Sequence, residues 1–268
     1  PLTPSPEIDD WEAWELVSSS ARNAPETDPT PRALTRAEIP EVVERWGQAA
    51  RRAHEAGFDV LDIHAAHGYL IHTFLSPVAN HRNDAYGGDI HGRMRFALEI
   101  AEAVRANWPS DKPIFFRISS VDWRKDLDTR TDGWTIEDSC VLARELVKRG
   151  IDLIDCSSGG IRAENSTIDF VKRRISIKKG HQVPYAEHIR RETGIPTMAV
   201  GVILDGPQAE AILQRGQADL IAIGREALVD PHWGLNAAKA LGVAPDWSMW
   251  PPSYGWWLEM RERVGVVD

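Results

Sequence analysis

Short apolar runs recur along the chain, and each follows a glycine and an aspartate. Residues 57–64, 150–157 and 216–224 share this order, and each run ends in small or polar residues. A glycine that ends a helix and precedes an apolar run is typical of the passage from a helix into a buried parallel strand. This weak internal repeat therefore predicts three parallel strands.

Two further apolar runs, at residues 113–118 and 196–201, also predict strands. Helical patterns occupy the intervening stretches, at about 91–107, 135–149, 184–193 and 206–215. Strands that alternate with helices are typical of right-handed βαβ units around a parallel sheet. The pattern therefore predicts an α/β protein with five parallel strands, the sum of the two sets of runs.

A helix is also predicted ahead of the first strand. Thr35 and Glu38 have the spacing of a capping box, in which the hydroxyl caps the first turn and the carboxylate reaches back. The helix should run to about Glu55 and end at Gly57. Its expected apolar face consists of Val42, Val43, Trp46, Ala49 and Ala53.

The length of 268 residues matches a (β/α)8 TIM barrel of about 250 residues, but a closed barrel needs more strands than the pattern predicts. Either the barrel is incomplete and consists of about the last five βα units, or the sheet is open. The expected division is an irregular segment at 1–34, a partial TIM-barrel domain at 35–245 and a Trp-rich tail at 246–268.

Composition narrows the classes of partner. The net charge is −9 and basic residues form no block, which argues against nucleic acid and anionic membranes. Cys140 and Cys156 are the only cysteines, so a disulfide framework is not expected and a reducing, cytoplasmic location fits. The sequence has no apolar run of about 18 residues and opens with no signal-peptide pattern, so no membrane span is expected.

The first strand-like run delivers unusual chemistry. His64, His67 and Tyr69 follow one another within six residues, at the end where α/β barrels place their active sites. Two imidazoles can donate hydrogen bonds to one oxygen, and a phenol can supply a proton. A purely structural histidine is the ordinary alternative. A zinc site of His64, His67 and His72 is a second one, although these residues match no standard zinc motif.

Later strand ends carry further candidate residues. Arg117 lies inside an apolar run and is either a salt-bridge partner or a cation placed against an electron-rich ligand. Gly201 ends the next-to-last predicted strand, and Gly224 and Arg225 end the last. Small residues there admit a phosphate to backbone N–H groups, and an arginine adds a charge-assisted bond. Tight packing is the alternative reason for each glycine.

Taken together, these residues resemble the Old Yellow Enzyme family of FMN-dependent oxidoreductases, from about residue 28 to 245. The His-x-x-His spacing and the tail around Tyr254 look like its bacterial, xenobiotic-reductase branch. The motifs that carry the resemblance are the segment 64–70, Phe74 to Pro77, Asn80, Arg82, Asp84, residues 86–88, Arg93, Arg95, Phe96, residues 116–119, 157–160, 199–201 and 222–225.

The resemblance implies a role for each candidate residue. His64 and His67 match the pair that binds the carbonyl or nitro oxygen of an activated alkene, and Tyr69 matches the proton donor. Arg117 matches the arginine beside the flavin N1 and C2 carbonyl. Gly201, Gly224 and Arg225 match the residues of the family that bind the phosphate of FMN. NADPH or NADH would reduce FMN, which would then reduce an enone, a nitro compound or a quinone.

The chain also departs from the family pattern. Motifs of the family's N-terminal third, which carry the first barrel strands, do not occur in it. An incomplete barrel, at work as a homo-oligomer or with a complementing N-terminal segment, is therefore expected. A catalytically silent fragment that needs a partner chain is the alternative, and a zinc-dependent hydrolase is a weaker one. The insert from Arg124 to Asp132 is a further hypothesis, as a determinant of substrate preference.

Overall fold

The computed structural model describes residues 15–21, 31–122, 133–161, 178–243 and 246–265. Its centre is a parallel sheet of five strands that lie in chain order from one edge to the other. The strands are β3 (Leu61–Ala65), β4 (Ile114–Ser119), β5 (Leu153–Ser157), β6 (Thr197–Ala199) and β7 (Leu220–Ile221). The five predicted strands and their parallel arrangement are confirmed.

Helices alternate with these strands, as the pattern predicts, and further helices follow the last strand. They are α1 (Ile39–Glu55), α2 (Leu70–Leu75), α3 (Ile90–Ala106), α4 (Ile136–Val147), α5 (Val183–Thr193), α6 (Gly206–Gln214), α7 (Glu226–Val229), α8 (Trp233–Ala240) and α9 (Pro252–Arg263). Helix α1 packs on α3, α4 packs on α5, and α6 packs on α8. This layer of helices covers one face of the sheet.

The two faces of the sheet differ in chemistry. Residues that alternate along the strands toward the helices are apolar and buried, among them Ile63, Phe116, Ile118, Ile154 and Cys156. The opposite face carries Asp62 and His64 on β3, Arg117 on β4 and Asp155 on β5. Because side chains alternate along a strand, this polar set shares one face of the sheet.

Cys156 is a core residue, as its apolar surroundings predict. Its side chain is fully buried, and burial raises the pKa of its thiol well above the ordinary value. Cys140 is also buried and free, and burial raises the pKa of its thiol as well. Both thiols therefore stay protonated and inert at neutral pH.

Helix α1 differs from its prediction at its start and on one face. The Glu38 carboxylate accepts from the backbone N–H and the hydroxyl of Thr35, so the reach-back half of the capping box is present. The Thr35 hydroxyl does not cap the helix, which begins at Ile39 with a proline in its first turn. Ala49 is exposed, and Ala50 is buried in its place, so the predicted position of Ala49 was wrong.

The segments outside the sheet show more order than the pattern predicts. Val17–Ser18 (β1) and Arg32–Ala33 (β2) form a short parallel pair within the expected irregular segment 1–34. The tail contains α9, in which Gly255 is the buried residue. The insert 124–132 and residues 1–14 and 22–30 lie outside the described residues. Across the part of the chain that is described, none of the helices has the length and apolar character to span a membrane.

Candidate active site

Three side chains converge where β3 ends. His64 belongs to β3, His67 lies in the turn that follows, and Tyr69 directly precedes α2. The ring centroid of His64 lies 5.0 Å from that of His67 and 5.3 Å from that of Tyr69. Tyr69 is 63% exposed, so a ligand can reach its phenol. The structure therefore brings the three predicted residues into one cluster at the carboxyl edge of the sheet.

A left-handed turn presents His67. Its φ angle is 60° and that of Gly68 is 79°, a region that side chains with a Cβ seldom adopt. The His67 N–H donates to Ser119 Oγ at 2.9 Å, and the Ser119 hydroxyl donates to the Gly159 carbonyl at 2.6 Å. The end of β4 and the loop after β5 thus hold the turn.

The loop after β5 also packs against this turn. A Cβ at Gly160 would lie 2.2 Å from the His67 backbone, and a Cβ at Gly68 would lie 2.5 Å from the Gly160 carbonyl oxygen. Side chains do not approach backbone this closely, so both positions require glycine. This contact explains why two of the motifs behind the family resemblance contain glycine.

His67 is connected to the end of the sheet by hydrogen bonds. Its Nε2 lies 2.7 Å from Ser157 Oγ, and the Ser157 hydroxyl donates to Gln182 Oε1 at 3.3 Å. Gln182 in turn donates through Nε2 to the Val200 carbonyl at 3.3 Å. Because the Ser157 hydroxyl donates to Gln182, its oxygen accepts from the N–H of His67. A chain of hydrogen bonds therefore joins His67 to the residues that follow β6.

Both histidines of the cluster are neutral at neutral pH. Burial is the main cause that lowers the pKa of His67 to about 4, with Arg117, His64 and His72 adding to it. Burial also lowers the pKa of His64, again with Arg117 as the next cause. A neutral imidazole has one N–H, so each ring can donate a hydrogen bond without bringing a charge into the site.

One polar atom of the cluster is left unpaired. The Nδ1 atom of His64 is buried and has no hydrogen-bond partner among the described residues. Buried polar atoms are nearly always paired, so an unpaired one beside exposed functional groups indicates a place where a ligand belongs.

Arg117 lies between a histidine and a carboxylate. Cross-strand register places it beside His64 of β3 and beside Asp155 of β5. Its Nε lies 3.2 Å from Asp155 Oδ2, and its side chain is 31% exposed while that of Asp155 is 1% exposed. Arg117 is therefore a salt-bridge partner and, at the same time, the accessible cation of the site.

The candidate phosphate end lies at the ends of β6 and β7. Gly201 has a φ angle of 117°, and a Cβ there would lie 2.8 Å from Gln182 Nε2 and 2.9 Å from the ring of His181. Arg225 is exposed, and it is close enough to His181 to lower the pKa of that histidine, although burial is the larger cause. A Cβ at Gly224 would meet nothing within 4 Å, so no packing contact among the described residues requires glycine there.

His72, the third histidine of the alternative zinc site, is committed to the protein itself. Its Nδ1 accepts the Gly68 N–H at 2.9 Å, and its Nε2 lies 2.9 Å from Asp122 Oδ1. Neither ring nitrogen is available to a metal at the cluster. Within the described ranges, no three or more His, Cys, Asp or Glu side chains are grouped to hold a metal ion.

Other residues of the family motifs make contacts that stabilise the fold and are not part of the cluster. Arg82 donates to the carbonyls of Ser19 and Leu34 and forms a 2.6 Å ion pair with Asp84, which ties the N-terminal segment to the loop between α2 and α3. Asn80 donates to the carbonyls of Phe74 and Tyr86 at 2.6 and 2.8 Å. These contacts fix the loop between α2 and α3.

Sequence reasoning did not identify three residues that support the site. Asp155 carried a signal, a carboxylate within an apolar strand, that was available from the pattern. Gln182 and Asp122 carried none, because their partners are 12 to 50 residues away in the sequence. Only the folded chain brings these groups together.

The described residues define a class of α/β protein with a polar ligand site at the carboxyl edge of a parallel sheet. A sequence profile of the NADH:flavin oxidoreductase / NADH oxidase family matches residues 11–242. The chain belongs to this family, and the resemblance to Old Yellow Enzyme that the motifs predict is confirmed.

Individual relatives agree with the family match. The NADPH dehydrogenase of Geobacillus thermodenitrificans is 46% identical over 229 residues, which are 85% of this chain and 62% of that protein. The Old Yellow Enzyme homologue from Zymomonas mobilis matches with a TM-score of 0.65 and 27% identity, over 87% of this chain and 62% of that one. Morphinone reductase in complex with tetrahydroNAD matches with a TM-score of 0.64 and 28% identity, over 87% and 61%. The chain thus spans about 62% of the length of such a curated relative.

Proposed function

We propose that this chain carries the substrate-binding and proton-donating part of an FMN-dependent oxidoreductase that reduces activated C=C bonds with NADPH or NADH. The observation that carries the proposal is the meeting of His64, His67, Tyr69 and Arg117 at one edge of the sheet, in a chain of the NADH:flavin oxidoreductase family. The substrate is a small molecule with an electron-withdrawing oxygen, such as an enone, a nitro compound or a quinone.

The residues present fit a flavin nucleotide. Arg117 offers an accessible cation on the sheet face, and the buried Nδ1 of the neighbouring His64 has no hydrogen-bond partner among the described residues. At the other end, Gly201 opens a cradle that a Cβ would fill, with Arg225 exposed nearby. In this proposal Arg117 contacts the pyrimidine side of the flavin, and Gly201, Gly224 and Arg225 contact its phosphate. When bound, FMN supplies the hydride chemistry.

The chain's own residues bind and protonate the substrate. His64 and His67 donate hydrogen bonds to the substrate oxygen, which makes the conjugated double bond a better hydride acceptor. His67 donates to Ser157 in the structure, so it must exchange that partner for the substrate oxygen or share its N–H between them. Tyr69 then supplies a proton from its hydroxyl to the substrate carbon, on the exposed side of the cluster.

The fold places a limit on what this chain does alone. We propose that its five strands are the C-terminal part of a (β/α)8 barrel that is incomplete in this chain, with residues 35–245 as the barrel part and 246–268 as a tail. In the described residues, β3 pairs only with β4, and β7 pairs only with β6. The second candidate function follows from these open edges, since a fragment that is silent until another chain or segment adds strands would present the same edges.

A visible absorption spectrum tests the first candidate against the second. The purified chain is incubated with FMN, freed of unbound cofactor, and compared with Arg117→Ala and Arg225→Ala variants. Retained and shifted flavin bands, weakened in both variants, would support a flavin site in this chain. A colourless protein at every FMN concentration would contradict the first candidate and favour the fragment that needs a partner.

A further inference from the structure

Asp155 is a buried carboxyl group without an ordinary set of hydrogen bonds. Its side chain is 1% exposed, and neither carboxyl oxygen accepts a hydrogen bond from the described residues. The Nε of Arg117 lies 3.2 Å from Oδ2, but the N–H does not point along a hydrogen bond. Taking a bare carboxylate out of water in this way is costly, so a further partner or a proton is required.

Asp62 provides that partner. It lies on β3 two residues before His64, on the same sheet face as Arg117 and Asp155. Its carboxyl group is within hydrogen-bonding reach of the Asp155 carboxyl. The charged and titratable groups that face the pair are Arg117 from β4 and His64 from β3. On the side away from β4, the register partner of Asp155 is Met198 of β6, and the partner of Met198 is Leu220 of β7. Neither carries a charge.

Two carboxylates beside one guanidinium would leave an excess negative charge next to Asp155, which is buried although Asp62 itself is exposed. A proton held between them forms an O–H···O⁻ hydrogen bond, which pairs one carboxyl oxygen and removes the repulsion. One negative charge then remains against the single positive charge of Arg117. Such a pair titrates as a unit rather than as two separate acids.

We propose that Asp62 and Asp155 hold one proton between them, and that they are positioning residues that orient Arg117 and set how much positive charge it presents to an electron-rich ligand. The ligand part rests on the proposed function, in which that ligand is FMN. The proton-sharing part rests on this chain alone.

The direction of the titration supports the pair. Burial raises the pKa of Asp155 to about 7, against the lowering effect of Arg117. Desolvation of its carboxyl group against the sheet also raises the pKa of Asp62, although the residue as a whole is exposed. Above neutral pH the shared proton passes to bulk water, and a second negative charge appears beside Arg117. Affinity for an electron-rich ligand should then fall.

Carboxyl NMR of the purified chain tests the shared proton without any cofactor. With 13C-labelled aspartate, we expect two carboxyl resonances to move together in one step near neutral pH, and to lose that step in both Asp62→Asn and Asp155→Asn. The exposed Asp59→Asn variant, whose side chain is 91% exposed, should keep it. If every aspartate of the native chain titrates below about pH 5, the shared proton is refuted.

FMN binding, measured by quenching of flavin fluorescence, tests the effect on Arg117. The Kd of the native chain is compared with that of Asp155→Asn at each pH, so that ionisation of the FMN phosphate affects both and cancels in the ratio. From pH 6.5 to 8.5 we expect this ratio to rise roughly tenfold. Asp59→Asn should follow the native chain. An identical pH dependence in the native chain and Asp155→Asn would overturn the charge role. Failure of every variant to bind FMN would instead contradict the proposed function, while the NMR result still decides the shared proton.

Discussion

The Nε2 atom of His72 lies 2.9 Å from Oδ1 of Asp122, and each of these side chains is 1% exposed. Because Nδ1 of His72 accepts the Gly68 N–H, the ring proton sits on Nε2 and is donated to Asp122. Oδ2 of Asp122 accepts from the Ser76 hydroxyl at 2.5 Å and from the Trp134 N–H at 2.9 Å. One buried carboxylate thus connects His72 of α2 and Ser76 directly after it with the loop after β4, behind the turn that carries His67 and Tyr69.

Asp122→Asn should therefore destabilise the chain strongly. An amide has one acceptor oxygen and would direct its NH2 group at donors, so at least one buried group loses its partner at a cost of about 2–4 kcal/mol. The free energy of unfolding from urea titration measures the loss. Ser76→Ala is the matched control, since it removes one of the three donors and should cost only about 1 kcal/mol. Equal losses in the two variants would contradict the central role of the carboxylate.

The contact between Gly160 and the His67 turn gives a second prediction. Gly160→Ala combines a φ angle of 108° with a Cβ at 2.2 Å from the His67 backbone, so the turn must move. Gly194→Ala is the control, because its φ angle is 71° and its Cβ would meet nothing within 4 Å. We expect Gly160→Ala to lose at least about 2 kcal/mol more stability than the control.

Thermal and chemical denaturation of the two glycine variants provide the comparison. Both variants place alanine at a positive φ angle, so the difference between them contains the clash with the turn together with the greater backbone strain at 108° than at 71°. A difference of less than about 0.5 kcal/mol would mean that the loop after β5 yields without disturbing His67.

Tyr69→Phe tests the proposed proton donor and rests on the proposed function. The ring stays in place 5.3 Å from His64, but its hydroxyl is lost. We expect alkene reduction to slow by a factor of about 10²–10⁴ while reduction of the flavin by NAD(P)H keeps its rate. Stopped-flow measurement of the two half-reactions separates these effects. Tyr254→Phe, an exposed tyrosine of the tail, should change neither rate, and equal loss of both half-reactions in Tyr69→Phe would remove it from its role.

The strands and the main helices were predictable because each is long and regular enough to show its period. The run 113–118 became Ile114–Ser119, and the helix at about 91–107 became Ile90–Ala106. Helices α2 and α7 have six and four residues, too few for a helical period to appear. The pairing of β1 with β2 spans two residues on each side and has no local signature.

The residues of the site likewise divide into those that the sequence predicted and those that it did not. His64, His67, Tyr69 and Arg117 were found because each follows or interrupts an apolar strand, and a parallel sheet brings such positions to one edge. The groups that hold them were not found. The bond of His67 to Ser157 joins residues 90 apart, and that of His72 to Asp122 joins residues 50 apart. Contacts of that span depend on the packed fold and leave no local pattern.

The lowered pKa of His67 predicts how stability depends on pH. Its pKa in the folded chain is about 4, below the value of 6.5 for an ordinary histidine, so the folded state resists protonation. The corresponding stability is fully present above about pH 6.5 and is lost as the pH falls toward 4. His64 acts in the same direction, since burial lowers its pKa too. After allowance for partial exposure to solvent, His67 should account for about 1–2 kcal/mol of this loss.

His67→Asn is the variant that isolates the effect. Asparagine adopts left-handed backbone more readily than most residues, so it suits the φ angle of 60° at this position. Because asparagine does not titrate, the free energy of unfolding of the variant should fall less than that of the native chain between pH 6.5 and 4. Carboxylates that titrate over the same range affect both proteins equally and cancel in the difference. If the free energy of unfolding of the two proteins depended on pH in the same way, His67 would take up a proton as readily in the folded chain as in the unfolded one. Burial would then not maintain the neutral imidazole on which the site depends.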